Sequence, residues 1–314
     1  MKNNILFVCL LKNNENYIPY MFKIFEMIKK DLDKKYIIKI LIYTNNNKDK
    51  TEILLNNKKT EDFEIIIEDV KDKEEWSGFD SFERKVTRLY YIRENLLNEI
   101  KKKSYNYLFM FDSDIYFNSS IIKDMIKIID NEEYEAVTTN TLGQNFSLYY
   151  DYFSLIDENN KKINKNDKLE IFNFNKKCFN NNIINTKSSF GGLFLIKYET
   201  MIKKSPSYLN NKKIDKNICE HIPFNKNLNI AFATNINPIR VSLNYNYKHK
   251  KAYNIIKNNL SDNRTLKKDI GILLIELVLL IFTLYLVFKL RNFYLISLIP
   301  ILVLLIINNF NEFF

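Results

Sequence analysis

Apolar residues in this chain fall into short unbroken runs, separated by longer stretches in which they recur every three or four positions. Ile5 to Leu11 is the first run and reads as a strand buried on both faces, as in a parallel sheet. Lys12 to Asn16 is the polar turn behind it. Tyr17 to Lys30 then sets Met21, Phe22, Ile24, Phe25 and Ile28 on one helical face. Tyr36 to Tyr43 predicts the next strand, with Thr44 to Asp49 as its polar loop, and Phe63 to Ile67 predicts a third. Arg84 to Lys102 predicts a helix with Val86, Leu89, Tyr90, Leu96 and Leu97 inward. Tyr107 to Phe111 is a fourth strand, whose loop begins at Asp112. This succession implies βαβ units and an α/β fold with a mostly parallel sheet and flanking helices. Residues 157–185, rich in Asn and Lys, are expected to form a mobile excursion, and Ser188 to Ile196 starts a new strand.

The far end of the chain is patterned differently. Ser261 to Lys268 is polar and charged, and Ile270 to Phe288 follows with 19 residues broken only by Glu276. At about 1.5 Å per residue this run is about 28 Å long, close to the hydrocarbon thickness of a bilayer. Lys289 to Asn292 interrupts, and Phe293 to Ile307 adds 15 residues around Pro300. Both runs are apolar on every face, unlike surface helices. The expected division is an α/β domain at 1–262, then a linker and membrane hairpin at 263–314 with segments 270–288 and 293–307. The second segment either spans fully or re-enters. The N-terminal run is too short, and lacks the cleavage site, for an export signal. The domain is therefore expected at the membrane, facing the cytosol.

Composition narrows this picture. Hydrophobic residues are 46% of the 314, and aromatics 14%, which excludes a disordered chain. The net charge of +10 suits a nucleotide or an anionic membrane face. No basic stripe is interleaved with aromatics, so nucleic acid is not an expected partner. Three widely spaced cysteines, Cys9, Cys178 and Cys219, predict neither a disulfide framework nor a zinc site.

Chemistry concentrates where strands end, because ligands of open α/β sheets gather at the carboxyl ends of strands. Three such ends are polar: Asn14-Glu15, Asn45 to Asp49, and Asp112-Ser-Asp114. The last follows a fully apolar strand with two carboxylates, an arrangement suited to one Mg²⁺ or Mn²⁺ bridging the diphosphate of a nucleotide. Cys219-Glu220-His221 is a second cluster. Its imidazole is suited to completing a metal site and Glu220 to general-base work, or the pair is a surface feature beside a core cysteine. Ser188-Ser-Phe-Gly-Gly192 holds two of only five glycines, for a positive-φ turn or a close backbone approach to a ligand. Arg84, Arg88 and Arg93 lie along one helix, where they would neutralise a diphosphate, orient the acidic edge of the sheet, or simply meet solvent.

Taken together, these pieces resemble the GT-A-fold glycosyltransferases, in particular the fungal α-mannosyltransferase families of the mannan-polymerase and capsule-associated kinds. Leu11-Lys-Asn-Asn-Glu-Asn-Tyr-Ile-Pro19 is similar to their first-strand turn, and Tyr43-Thr-Asn-Asn-Asn-Lys-Asp-Lys-Thr51 to their second-strand loop. Arg84 to Leu97 resembles their Arg-rich helix, and Asp112-Ser-Asp-Ile115 their Asp-x-Asp block. Tyr149-Tyr-Asp151, Ser189-Phe-Gly-Gly192 and Cys219-Glu-His221 resemble later blocks, in the same order. The resemblance implies a glycosyltransferase that takes a nucleotide-sugar donor and a glycan, lipid or protein acceptor. It implies Mn²⁺ or Mg²⁺ held by Asp112 and Asp114, most directly Asp114, with His221 as a further ligand. Asn14, Glu15, Asn46 and Asp49 would line the nucleotide, with Arg88 and Arg93 nearby, and Gly191 and Gly192 would let the chain approach the sugar. Glu220 would be the acceptor-side base in an inverting reaction, or a charge stabiliser in a retaining one. Two other readings share the fold: a nucleotidyltransferase, disfavoured by the absence of glycine from Lys12 to Asn16, and a degenerate, non-catalytic binding protein.

Overall fold

Ile5, Phe7, Cys9 and Leu11 point to one face of strand β1 (Asn3–Leu11) and Leu6 and Val8 to the other, and all six are buried. The computed structural model describes residues 2–68, 82–131, 133–142, 149–164, 166–209 and 218–240. β1 runs parallel to β2 (Tyr36–Asn45) on one side and to β4 (Tyr107–Phe111) on the other, and β3 (Phe63–Glu68) adds parallel to β2. These are the four predicted strands. β2 continues two residues past its predicted end, since Thr44 is buried and its hydroxyl donates to the Leu11 carbonyl at 2.9 Å.

Helix α1 (Ile18–Leu32) carries Pro19 in its first turn, where the missing N–H is harmless, and buries Met21, Phe22, Ile24, Phe25 and Ile28 as the periodicity predicts. Phe25 meets Phe7 edge-on at 6.0 Å. The short α2 (Thr51–Asn56) follows β2, and α3 (Phe82–Lys101) lies on the opposite face of the sheet. There Val86, Tyr90, Leu96 and Leu97 join Leu6, Val8, Leu41 and Tyr43 in one core. Leu89, also expected inward, is only half-buried.

The second half of the sheet is less regular. After β4 come a two-residue strand β5 (Ile115–Tyr116), helix α4 (Ser119–Asn131) and β6 (Ala136–Thr139). Next are β7 (Ile156–Asp157), helix α5 (Lys168–Asn180), β8 (Ile183–Ser188) and β9 (Leu193–Lys197). Helices α6 (Tyr198–Lys204) and α7 (His221–Asn225) precede β10 (Ile230–Ala233) and β11 (Ile239–Arg240). The main sheet has the order β3-β2-β1-β4-β9-β6-β10-β8-β7, and β5 pairs with β11 in a small second sheet. β9 is antiparallel to both β4 and β6, and β8 is antiparallel to β10, so the sheet is mostly but not wholly parallel.

Two expectations need correction. Residues 157–185 are not an excursion: they carry β7, α5 and the start of β8. Asp167 caps α5 by accepting from the N–H groups of Leu169 and Glu170. Phe174 and Cys178 anchor the helix in a cluster with Tyr149, Tyr152, Ile163, Ile184 and Phe232. Ser188 to Ile196 is not one strand either, because β8 ends at Ser188 and the chain turns through Gly191 and Gly192 before β9. The expected domain limit at 262 and both apolar segments, 270–288 and 293–307, lie outside the described residues. Among the described residues, no helix is long and apolar enough to cross a membrane.

Candidate functional site: an acidic edge at the ends of β1, β2, β4 and β9

The turns after β1 and β2 are laced together. The amide N–H of Asn14 donates to Thr51 Oγ1 at 2.7 Å, and the N–H of Glu15 donates to Asp49 Oδ2 at 3.0 Å. Glu15 Oε2 in turn accepts from the N–H of Lys50 at 3.0 Å. Asn46 sits at φ +42°, a conformation Asn tolerates better than most residues. The side-chain amide of Asn14 reaches across to Ser113 Oγ at 3.0 Å and so joins this rim to the Asp112–Asp114 turn. Asn14, Glu15 and Asp49 thus brace the rim through their own bonds.

The acidic turn is held from three directions. The Asp112 N–H donates to the Gly192 carbonyl at 2.9 Å. Arg93 Nη2 lies 3.5 Å from Asp112 Oδ1, while Arg93 Nε donates to Glu220 Oε1 at 2.8 Å. Arg240, at the end of β11, donates from Nε to Asp114 Oδ2 at 2.7 Å and lies over the Tyr150 ring at 4.8 Å. Arg88 is buried and donates to Asn45 Oδ1 at 2.9 Å. Of the roles open to the α3 arginines, Arg93 takes that of orienting the acidic edge.

Gly191 and Gly192 occupy φ +58° and +75°. The protein itself demands glycine at both. A Cβ on Gly191 would meet the Thr139 carbonyl at 2.6 Å, and one on Gly192 would meet Ile115 Cγ1 at 2.5 Å and the Tyr150 hydroxyl at 2.8 Å. The turn carries a further carboxylate to the edge: Asp151 Oδ2 accepts from the Gly191 N–H at 3.2 Å and from Ser154 Oγ at 2.5 Å. From the other side Asn225 donates to Ser188 Oγ and to the Ser189 carbonyl, fixing α7 against this turn.

These carboxylates are short of positive charge. Burial pushes Asp112 up to about 7; Arg93 opposes this, but Asp114, Asp151 and Glu220 add to it. Burial also raises Asp151 to about 6, against the hydrogen bonds from Ser154 and Gly191 and with the help of Glu220. Yet the Asp112 and Asp114 side chains keep 31% and 22% of their surface exposed, so the edge opens to solvent.

His221 and Glu220 behave otherwise than expected. His221 is 2% exposed and stacks on Phe190 at 3.9 Å, and Tyr208 meets it edge-on. Burial, and then the charge of Arg93, keep it neutral. Among the described residues, no three of His, Cys, Asp and Glu come together as a metal-ligand group, so Asp112, Asp114 and His221 do not assemble as a triad. Glu220 is 4% exposed and tied to Arg93.

Two participants escape a reading of the sequence alone. Asp151 belongs to a block singled out by resemblance, yet only the fold shows its side chain tied to the Gly191 turn. Arg240 left one usable sign: just six of the 47 basic residues are Arg, and such a bias marks places where a planar, fork-shaped cation is needed.

The fold and this edge define a mixed α/β protein whose carboxylates cluster at strand ends. No family model and no curated protein matches the sequence. Among solved structures the chain is similar to residues 1–349 of S. aureus TarS, at 13% identity over 86% of this chain and 69% of that one, with a TM-score of 0.48. It is similar to the same TarS fragment in complex with UDP-GlcNAc, at 14% identity over 77% and 59%, with a TM-score of 0.45. A third is the mannosyltransferase PcManGT from Pyrobaculum calidifontis in complex with GDP-Man and Mn²⁺, at 8% identity over 82% and 61%, with a TM-score of 0.46. The chain thus spans less than two thirds of the last two. None of the three is a fungal mannosyltransferase, so that narrower likeness rests on the sequence motifs.

Proposed function

We propose that this chain is a GT-A-type glycosyltransferase that moves a sugar from a nucleotide-sugar to a glycan, lipid or protein acceptor at a membrane. One observation carries the reading: Asp112 and Asp114, delivered by the buried strand β4, share an open edge with Asp151 where negative charge exceeds its compensation. A divalent cation fits such a place. The donors are hard carboxylate oxygens, as Mg²⁺ and Mn²⁺ prefer, and a cation would offset the burial and the neighbouring carboxylates that push Asp112 up to about 7. Asp112 and Asp114 would hold it, leaving other positions to donor oxygens, and His221 does not fit as a ligand because it is sealed in the core. Bound there, the metal supplies charge neutralisation for a diphosphate.

The protein's own groups do the rest. Asn14, Glu15, Asn46 and Asp49 form the rim on which a nucleotide would lie, with Arg88 behind Asn45. Arg93 and Arg240 hold the carboxylates in place, and the Gly191–Gly192 turn presents backbone to the sugar. Asp151, rather than Glu220, would accept a proton from an acceptor in an inverting reaction, a reading supported by the commitment of Glu220 to Arg93. The apolar segments 270–288 and 293–307 support a membrane tether, and with it a domain facing cytosolic nucleotide-sugars.

The test uses the full chain in detergent micelles with a panel of UDP- and GDP-sugars, with and without Mn²⁺. Metal-dependent turnover of one donor is the expected result. Asp114→Asn should weaken metal-dependent donor binding by roughly 100-fold, because the diphosphate loses part of its counter-charge. Wild-type affinity in that variant would remove Asp114 from the site, and binding without turnover across the panel would make the chain a binding protein.

A further inference from the structure

Helix α5 presents two unlike faces. Inward, Phe174 packs against Tyr149 and Tyr152, which bracket Tyr150 and Asp151 along the chain. Outward lie Leu169, Phe172 and Phe179, exposed by 67%, 63% and 92%, the three most exposed large hydrophobic side chains among the described residues. With Lys176 they fall at positions i, i+3, i+7 and i+10, a single stripe along the helix nearly opposite Phe174 and Cys178. Single exposed apolar residues are ordinary; an ordered stripe of them on an anchored helix is not.

Charge indicates what the stripe meets. Residues 161–180 contain six lysines and two carboxylates. Glu170 is paired with Lys161 at 2.6 Å and Glu158, just before this stretch, with Lys177 at 2.6 Å, while Asp167 is engaged as the helix cap, so lysines stay in excess. Lys168 and Lys176 are exposed beside the apolar residues. Two copies of such a face would repel each other, whereas an anionic lipid surface complements both its lysines and its rings. The chain also continues past Arg240 into the two apolar segments, and a tether of that kind raises the effective concentration of bilayer at the domain.

We propose that α5 is a membrane-docking helix: Leu169, Phe172 and Phe179 enter the head-group region of an anionic bilayer while Lys168 and Lys176 engage lipid phosphate and carboxylate groups. The lysine stems lie along the apolar layer with their ammonium groups at its wet edge. Because the inner face of the helix touches Tyr149 and Tyr152, which bracket Asp151 along the chain, docking brings the acidic edge near lipid-borne acceptors. This last consequence rests on the proposed transferase; the docking itself does not.

The experiment places the full chain in nanodiscs of phosphatidylcholine, or of phosphatidylcholine with phosphatidylserine, with an NBD fluorophore on Phe179→Cys; the three native cysteines are all buried. Co-elution with the discs reads the tether separately, and a chain that stays outside is read against added anionic vesicles instead. Acyl-brominated lipid should quench the probe at least about twofold more in anionic than in zwitterionic bilayers. Phe172→Ser should reduce that quenching, and Lys168→Glu with Lys176→Glu should abolish its dependence on anionic lipid. A probe on Ile53→Cys, 62% exposed on α2, should be quenched in neither. Equal quenching at 53 and 179, or probe burial that follows the number of chains per disc rather than the lipid, would overturn the proposal, the latter in favour of a contact between copies.

Discussion

The rim built by the β1 and β2 turns and the edge built by β4 and the β8–β9 turn both gather carboxylates, and they treat them oppositely. On the rim, burial tends to raise Asp49, but hydrogen bonds from Thr51 and Glu15 outweigh it and hold the carboxyl below its usual range. At the edge, burial raises Asp112 and Asp151, and the surrounding groups do not bring them back. Local N–H donors satisfy a carboxylate where it stands. Arginines shared among several carboxylates leave charge over. An acidic loop residue is therefore weak evidence for a ligand until its counter-charges are located.

The largest effect that bears on this contrast should come from Arg93→Met. It strands Glu220 in the core and removes the cation nearest Asp112, and leaving a buried charge unpaired costs about 3–5 kcal/mol. Chemical denaturation of the full chain measures it, and Glu220→Gln added to Arg93→Met should restore part of the loss. A loss below about 1 kcal/mol would show that the edge holds its acids without this arginine.

A smaller effect should distinguish Asp151. Its folded pKa, about 6, lies above the usual carboxylate value, so the stability it contributes is complete in acid and is lost as pH rises from about 4 to about 6. Asp112, Glu220 and Tyr150 face it, with Ser154 and the Gly191 N–H as its donors. The melting temperature of Asp151→Asn should therefore gain on the wild type across that window and stay level above it. A constant difference from pH 4 to 8 would place Asp151 with the satisfied acids of the rim.

The smallest should be Asp49→Asn, which weakens the acceptor for the Thr51 and Glu15 N–H groups and should cost about 1 kcal/mol near neutral pH. Its sign with pH is the reverse of that for Asp151: a lowered carboxyl contributes stability that is lost as pH falls through its folded value. The melting series, extended below pH 4, reads both variants, and a wild-type advantage that stays level or grows as pH falls would contradict the rim's description.

Much of this was visible in the chain's pattern. β1 to β4, α1 and α3 were legible because each buries a continuous run or a helical stripe, and burial of that kind leaves a period in the sequence. α5 and β8 were not, because their outer faces carry Asn, Lys and even Phe, and only three apolar residues of α5 turn inward. Composition hid a helix that its Asp167 cap and its contacts specify.

For the site, the sequence by itself determined that an apolar strand ends on Asp112 and Asp114, and that two adjacent glycines stand before another strand, because these are matters of local spacing. It placed Glu220 and His221 side by side without telling which faces a ligand, and the fold turned both inward. Only the tertiary structure decided that Arg93, nineteen positions before Asp112, joins Glu220 to the acidic turn, and that Asp151 and Arg240 reach the same edge. The reason is physical: which charges compensate one another depends on separation in space and on exclusion of water, and neither is proportional to distance along the chain.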